Sequence, residues 1–288
     1  MGRKALFFDI DETLLDHHNY IPESTVRAIR EARKNGHLAF LNSGRSRGYI
    51  QLPELLAIGF DGVVSACGTV IEYDGKVIFE RMIPMDQAIR TVEICRAYDF
   101  LPILEGREYL YFDHADFGND AYGRKLIGEL GDRLQPLTEN WGRWEINKLS
   151  LATPAGEGIS WTSGREEKKQ EELSEEALAI EARKAEGFRK LEEEGYDLLI
   201  HTPTVVEVVP HGFSKGTGIR EVCELLDLDI ADTFAFGDSV NDLGMFAVAG
   251  TAVCMGQGDA RAKEAADYIT TSLEEDGIWN ALKAYGVI

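Results

Sequence analysis

The sequence predicts an α/β protein: a three-layer Rossmann-like parallel-sheet core with an inserted α+β domain. Three observations predict it. Short apolar runs alternate with helix-like segments at both ends of the chain, the order that right-handed βαβ units produce. Two of those runs, one near each end, break off abruptly into acids at Asp9 and Asp238. Between them the alternation is suspended, and strands come in pairs instead. The expected division is therefore a discontinuous core of residues 1–83 and 210–288 and an inserted domain of residues 84–209.

The first strand is Ala5 to Phe8, an apolar run too short for a helix and closed by Asp9, Asp11 and Thr13. A helix begins at Pro22 and Glu23, repeats Val26, Ile29 and Ala32 at helical spacing, and stops at Asn35-Gly36. Leu38 to Leu41 reads as a second strand, Tyr49 to Ile58 as a helix and Gly62 to Ser65 as a third strand. Val70 to Tyr73 and Val77 to Arg81, joined through Asp74-Gly75-Lys76, read as a hairpin. In the inserted domain a helix is expected over Met85 to Tyr98, with strands at Leu101 to Leu104, Tyr109 to Phe112 and Lys148 to Ala152. Tyr109, Tyr111, Phe112, Phe117, Tyr122, Trp141 and Trp144 crowd this region and read as core or interface packing residues, with lining of a substrate pocket as the alternative.

Gly156 to Gly164 reads as a loop, and residues 165–194 as an amphipathic helix. Its apolar stripe is interrupted where Lys184 takes an inward position, and Gly187 is its weak point. Strands at Asp197 to His201 and Val205 to Val209 close the inserted domain. The core then resumes with a helix from Ser214-Lys215 to Leu226, a strand Thr233 to Phe236, a strand Gly250 to Met255, and helices at Ala260 to Ala266 and Gly277 to Tyr285.

Composition narrows the function classes. A net charge of −20 with no basic block argues against electrostatic binding to nucleic acid or to an anionic membrane. No segment is long and uncharged enough to span a bilayer, and the reading is a soluble, cytoplasmic protein. Cys67, Cys95, Cys223 and Cys254 are scattered, without zinc-ligand spacing, and are expected as reduced, buried thiols. The oligomeric state is left unassigned.

The chemistry is expected where the strands end. In an open parallel sheet the carboxyl ends of the strands face ligand, so Asp9 and Asp11 would meet Asp238 and Asp242 if their strands are neighbours. Carboxylates so close repel one another unless a cation or a proton lies among them, and an all-oxygen set suits Mg²⁺. Lys215 and the backbone amides after Ser43, at an expected helix amino terminus, could hold a phosphate against that ion. Such a set is what phosphoryl transfer requires. His17 and His18 read as solvated loop residues, and His201 and His211 as structural or hinge residues.

Asp9-Ile10-Asp11-Glu12-Thr13, Ser43-Gly44-Arg45, Lys215 and Gly237-Asp238 through Asn241-Asp242 together resemble the four ordered motifs of the haloacid dehalogenase-like phosphatases. The insertion and the ending Ala252-Val253-Cys254-Met255-Gly256 are similar to the Cof-type subfamily, in which the insertion is a C2 cap. The resemblance implies that Asp9 is a nucleophile forming an aspartyl-phosphate and that Asp11 is the general acid and base. It implies Mg²⁺ held by Asp9, Asp238 and the Asp11 carbonyl, with Asp242 supporting or joining that shell. Ser43, Gly44, Lys215 and Asn241 would bind the phosphoryl oxygens, and Arg45 would contact substrate or brace the cap. Linkers near Ile83 and Pro210 would act as hinges. The implied activity is hydrolysis of small phosphomonoesters, sugar phosphates first, with no nucleic-acid or membrane partner. A phosphomutase of the same superfamily and a non-catalytic module binding Mg²⁺ or a phosphorylated ligand are the alternatives. One departure is visible: Cys67-Gly68-Thr69 stands where many members of the subfamily have Asn-Gly-Ala, which bears on substrate preference and reads as packing at Cys67.

Overall fold

Residues 2–117, 121–154 and 174–288 are described by the computed structural model, and the chain divides into two units. The first comprises Met1–Arg45, Ile50–Arg81 and Gly212–Ile288; the second comprises Ser46–Tyr49 and Met82–His211. In chain order the first unit contains β1 (Ala5–Phe8), α1 (Glu23–Lys34), β2 (Leu38–Asn42), α2 (Pro53–Leu56), β3 (Gly62–Ser65), β4 (Val70–Tyr73) and β5 (Lys76–Glu80). The second contains α3 (Met85–Ala97), β6 (Leu101–Glu105), β7 (Leu110–Tyr111), α4 (His114–Phe117), α5 (Ala121–Leu130), β8 (Leu134–Gln135), β9 (Lys148–Ala152), α6 (Glu175–Glu193), β10 (Tyr196–Thr202) and β11 (Val205–Pro210). The first unit then resumes with α7 (Lys215–Leu226), β12 (Thr233–Gly237), α8 (Leu243–Phe246), β13 (Thr251–Cys254), α9 (Ala260–Ala265), β14 (Tyr268–Ile269) and α10 (Gly277–Ala284).

The strands of the first unit form one sheet in the order β14-β13-β12-β1-β2-β3-β4-β5. It is parallel from β14 to β3 and ends in the antiparallel β3-β4-β5 meander. Alternation along the strands sorts its side chains into two layers. Leu6, Phe8, Ala39, Leu41 and Phe236 pack with Ala28, Ile29 and Ala32 of α1 and with Ile278, Ala281 and Leu282 of α10. Ala5, Phe7, Leu38, Phe40 and Ala235 pack on the other side with Ile219 and Val222 of α7, Met245 of α8 and Ala262 of α9. Helices cover both faces, so the unit has three layers. Phe8 and Phe236 are register partners with ring centroids 4.7 Å apart. A stacked pair of this kind contributes about 0.5–1.5 kcal/mol beyond its burial, and here it fixes β1 beside β12.

Two local expectations are corrected. The helix expected from Tyr49 to Ile58 is only the single turn Pro53–Leu56. Pro53 disfavours helical geometry at Leu52, which is extended with φ −61° and ψ 115°. Ser43 therefore stands before a loop, and no helix begins there. The hairpin turn does form as its residues require, with Asp74 and Gly75 both at positive φ, 49° and 71°.

The second unit is an α+β layer structure with a sheet ordered β10-β11-β9-β6-β7-β8, antiparallel except between β7 and β8. One face carries Leu104, Leu149, Leu151, Val206 and Val208, packed with Ala88, Val92 and Cys95 of α3 and Leu191 of α6. Gly187 is not a weak point of α6: a Cβ there would lie 2.6 Å from the Phe100 ring, so glycine is what lets the helix approach the core. Lys184 follows its inward position but carries its ammonium out to the Pro203 carbonyl at 3.2 Å and the Glu181 carboxylate at 2.6 Å. Helix α5, which is absent from the elements the sequence predicts, supplies Leu126 and Leu130 to a smaller cluster with Ile103 and Phe112. Of the aromatics, Tyr111, Phe112 and Trp144 are buried, whereas Tyr109 and Trp141 are exposed. The expected loop over Gly156 to Gly164, and the side chains of Phe117 and Tyr122, lie outside the described residues.

All four cysteines are buried and none is in a disulfide, and burial pushes the Cys95 thiol up to about 12. No described helix is long and apolar enough to cross a membrane.

A buried charge cluster was not foreseen. Lys148 on β9 is 1 % exposed and lies 2.5 Å from Glu207 of β11 and 3.3 Å from Glu105 of β6. Burial works to raise Glu207, but Lys148 and His201 outweigh it and hold its carboxyl well below the usual range. Lys148→Ala leaves the buried Glu105 and the largely covered Glu207 without that cation, and a loss of about 3–5 kcal/mol is expected in urea unfolding of the variant against the parent. A loss below about 1 kcal/mol would show that the cluster contributes little.

Candidate active site

The site is assembled at the carboxyl ends of β1, β2 and β12, within the first unit. The Asp9 amide donates to the Phe236 carbonyl at 2.9 Å, which carries the β1–β12 ladder one residue past the end of β1. The chain then folds back, and the amides of Leu14 and Leu15 both donate to the Ile10 carbonyl. Glu12, at the corner, is left-handed with φ 54°. This turn buries Thr13 and aims its hydroxyl at an Asp238 oxygen, 3.0 Å away across the two strands.

Lys215 enters from the other side. Ser214 caps α7 through a reciprocal box with Thr217, which fixes where the helix starts. The Asn42 amide donates to the Lys215 carbonyl at 3.1 Å and ties that start to the end of β2. Gly216 is required here, because a Cβ would lie 2.1 Å from the Gly244 carbonyl. The Lys215 ammonium, 3 % exposed, lies 2.7 Å from an Asp9 oxygen and 2.7 Å from an Asp242 oxygen, and donates to the Asn241 side-chain carbonyl at 3.2 Å. The second Asp242 oxygen accepts from the Asp238 and Ser239 amides at 2.9 and 3.0 Å. That return of the carboxylate onto its own loop needs Gly237, where a Cβ would come within 2.4 Å of it.

Asp9, Asp238 and Asp242 each offer a carboxylate oxygen, all within 4.8 Å of one another. Three acids face one lysine, so the cluster is short of positive charge. Burial, opposed by Lys215 and reinforced by Asp242, holds the Asp9 carboxyl well above its ordinary value. Burial and Asp242 push the Asp238 carboxyl up to about 7. Conversely, although burial opposes its charge, Asp242 and Asp9 hold Lys215 well above the usual lysine value. An all-oxygen donor set, buried and starved of positive charge, fits a hard divalent cation. Hydrogen bonds and ion pairs engage one oxygen each of Asp9 and Asp238 but both oxygens of Asp242.

Asp11 is placed differently from Asp9. Its side chain is 58 % exposed, and both oxygens are held by Arg45, Nε at 2.9 Å and Nη2 at 2.5 Å. Ser43 is buried, its amide donates to the Val64 carbonyl and its hydroxyl accepts from the Arg45 amide. The structure therefore brings Asp9, Lys215, Asp238, Asn241 and Asp242 into one bonded cluster, and Asp11 with Arg45 into a pair beside it in sequence. His17 and His18 are exposed; His201 pairs with Glu207 and His211 with Asp197. Thr13, Asn42 and Ser239, which holds the Asn241 carbonyl at 2.8 Å, were not singled out. Each is a polar residue flanking an acidic or basic motif at a strand end, and that placement was the available signal.

A family profile of haloacid dehalogenase-like hydrolases matches residues 6–282. The chain belongs to that family. Within it, the profile and a full-length relative identify the chain as a Cof-type phosphatase. A Bacillus subtilis protein provisionally named as phosphatase YkrA is 31 % identical over 288 residues, covering all of both chains. The 5-amino-6-(5-phospho-D-ribitylamino)uracil phosphatase YitU of the same organism is 26 % identical, covering 96 % of this chain and 95 % of its own. A haloalkanoate-superfamily phosphatase structure from Bacteroides thetaiotaomicron superposes with a TM-score of 0.76 at 24 % identity, covering 99 % and 96 % of the two chains. That superposition shows the same α/β fold over nearly the whole of both chains.

The raised Asp238 carboxyl has a consequence for stability. A carboxyl whose folded pKa of about 7 exceeds the ordinary 3.8 binds more protons when folded, so its contribution is lost as pH rises between those values. In protein stripped of divalent ions, Asp238→Asn is expected to raise the urea midpoint more at pH 8 than at pH 5. An equal gain at both pH values would contradict the shift.

Proposed function

We propose that this phosphatase is a Mg²⁺-dependent phosphomonoester hydrolase that works through an aspartyl-phosphate on Asp9. The observation that carries the reading is the Asp9 carboxylate itself: buried, oriented by Lys215 at 2.7 Å through one oxygen, and with its second oxygen not engaged by any described group. A carboxylate can attack phosphorus without first losing a proton. In the first step an Asp9 oxygen bonds to phosphorus as the ester P–O bond breaks, and Asp11 gives its proton to the leaving oxygen. In the second, Asp11 takes a proton from water, the water oxygen bonds to phosphorus, and the Asp9–phosphorus bond breaks to release inorganic phosphate.

The remaining residues bind and orient. Asp9, Asp238 and the Asp11 carbonyl would hold Mg²⁺, while Asp242, with both oxygens engaged, positions Lys215 and the Asp238 loop. When bound, the ion supplies positive charge to the phosphoryl oxygens. Ser43, Gly44, Lys215 and Asn241 would receive those oxygens. Asn241 has its carbonyl held by Ser239 and Lys215, which leaves its NH₂ group as the donor. Arg45 must yield at least one of its bonds to Asp11 before that carboxyl can serve the leaving oxygen.

Sugar phosphates or similar small phosphorylated metabolites are the proposed substrates. The relative YitU is named for a phosphorylated ribityl compound, which is a sugar-alcohol phosphate. A strongly acidic chain without a basic block has no electrostatic footprint for nucleic acid. The phosphomutase alternative transfers the phosphoryl group back to substrate and requires a bisphosphate activator. Purified protein is expected to release phosphate from an aryl phosphate and from members of a sugar-phosphate panel without any bisphosphate. The activity is expected to vanish in EDTA, to return with Mg²⁺, and to fall at least about a thousandfold in Asp9→Asn. No hydrolysis across the panel, or full activity in Asp9→Asn, would sink the proposal.

A further inference from the structure

Between the strand β3 and the strand β4 the backbone does something L-residues avoid. Ala66, Cys67 and Gly68 all have positive φ, 49°, 55° and 86°. Three consecutive left-handed residues, two of them not glycine, are costly, and such conformations persist only where surrounding structure enforces them. Residues 66–69 connect β3 to β4, whose last pair is Ser65↔Val70, and Cys67 and Gly68 stand at the centre of the turn that the Thr69 N–H closes on the Ala66 carbonyl at 3.2 Å.

Beyond closing the hairpin, the turn makes contacts that reach the site. Its two leading amides point at the Ser43–Arg45 loop: Cys67 N–H donates to the Ser43 carbonyl at 3.1 Å, and Ala66 N–H donates to the Arg45 carbonyl at 2.8 Å. In a trans peptide the C=O and the following N–H point in opposite directions. With the Ser43 carbonyl drawn onto Cys67, the Gly44 N–H is aimed at the opposite side of the loop. Fixing the Arg45 carbonyl likewise fixes the root of the side chain that holds Asp11. The third residue faces α7: a Cβ on Gly68 would lie 2.7 Å from the Ser214 carbonyl, and one on Gly218 would lie 3.1 Å from the Gly68 α-carbon. The turn thus lies against the start of the helix that carries Lys215. It is latched by Thr69, whose hydroxyl donates to the Ala66 carbonyl at 2.8 Å.

We propose that the left-handed turn Ala66-Cys67-Gly68 is a positioning element for phosphoryl binding, setting the aim of the Gly44 amide and its spacing from Lys215, with Cys67 acting through its backbone conformation. This rests on the phosphate-binding roles proposed above for Ser43, Gly44 and Lys215. It accounts for Cys67, which is 1 % exposed and has no part in the reaction steps. Its amide makes the bond to the Ser43 carbonyl at 3.1 Å.

The test separates conformation from side-chain chemistry. Asn and Gly accept left-handed φ, whereas a β-branched residue does not. Cys67→Asn, Cys67→Gly and Cys67→Val are compared in Mg²⁺-loaded protein for KM, kcat and competitive inhibition by inorganic phosphate, with Mg²⁺ affinity measured by calorimetry. Asn and Gly are expected to keep the phosphate inhibition constant within about twofold, and Val to weaken it at least about tenfold with Mg²⁺ affinity unchanged. Should Val fail to fold, Thr69→Val removes the latch isosterically and is expected to weaken phosphate inhibition severalfold. The proposal is overturned if Val, or failing it Thr69→Val, leaves phosphate inhibition unchanged, or if Asn and Gly lose as much as Val. Parent protein that hydrolyses its substrates while the series ignores φ preference refutes the turn's role alone; parent protein that neither hydrolyses nor binds phosphate refutes the functional reading beneath it.

Discussion

The buried ammonium of Lys215, held 2.7 Å from Asp9 and 2.7 Å from Asp242, is the interaction on which the rest of the site depends. Removing one partner of a buried ion pair typically costs about 3–5 kcal/mol, so these three side chains constrain one another's positions strongly. The fold delivers them by separate routes. Asp9 arrives on the extension of β1, which the Phe8–Phe236 stack locks beside β12. Lys215 arrives on a capped helix start, and Asp242 on a loop that closes only because residue 237 has no side chain. A third acid, Asp238, is then left facing two others with one lysine among them. The deficit of positive charge is the chemical content of the site.

Much of this was legible in the sequence, and the reasons differ by residue. Asp9 and Asp238 were visible because an apolar run that stops at a carboxylate marks, in a βα pattern, the ligand-facing end of a strand. Their adjacency was not visible locally, since β1 and β12 are register partners separated by almost the whole chain; it followed from the parallel-sheet grammar and the ordered motifs. Gly216 and Gly237 could be read as parts of motifs, but only the structure gives their cause, a carbonyl and a carboxylate where a Cβ would stand. The Asp11–Arg45 pair escaped because nothing in spacing links residues 34 apart on different loops. The helix expected after Tyr49 failed because apolar spacing was weighed above Pro53. In the second unit, Glu105, Lys148 and Glu207 looked like ordinary polar positions on three strands, and only the register of β6, β9 and β11 brings them together.

Each unit has one conspicuous local feature. In the first, two of the left-handed stretches, Glu12 and Ala66-Cys67-Gly68, adjoin Asp11 and the Ser43–Arg45 loop. Glu12 is bonded at its carbonyl by the Gln257 side chain, and Ala66-Cys67-Gly68 bonds the Ser43–Arg45 loop through the Ala66 and Cys67 amides. In the second, the conspicuous feature is a charge cluster whose members satisfy one another. The first kind of feature spends conformational freedom on aim, and the second holds a sheet together.

The central claim is that Asp9 bonds covalently to phosphorus, and the most direct measurement is an acid quench of a single turnover with substrate labelled in its phosphoryl group. The account predicts hydroxylamine-labile label on the denatured protein, located by peptide mapping to the segment containing Asp9 and absent from Asp9→Asn. Product formed in that turnover with no label ever on the protein, or label on a segment without Asp9, would contradict it.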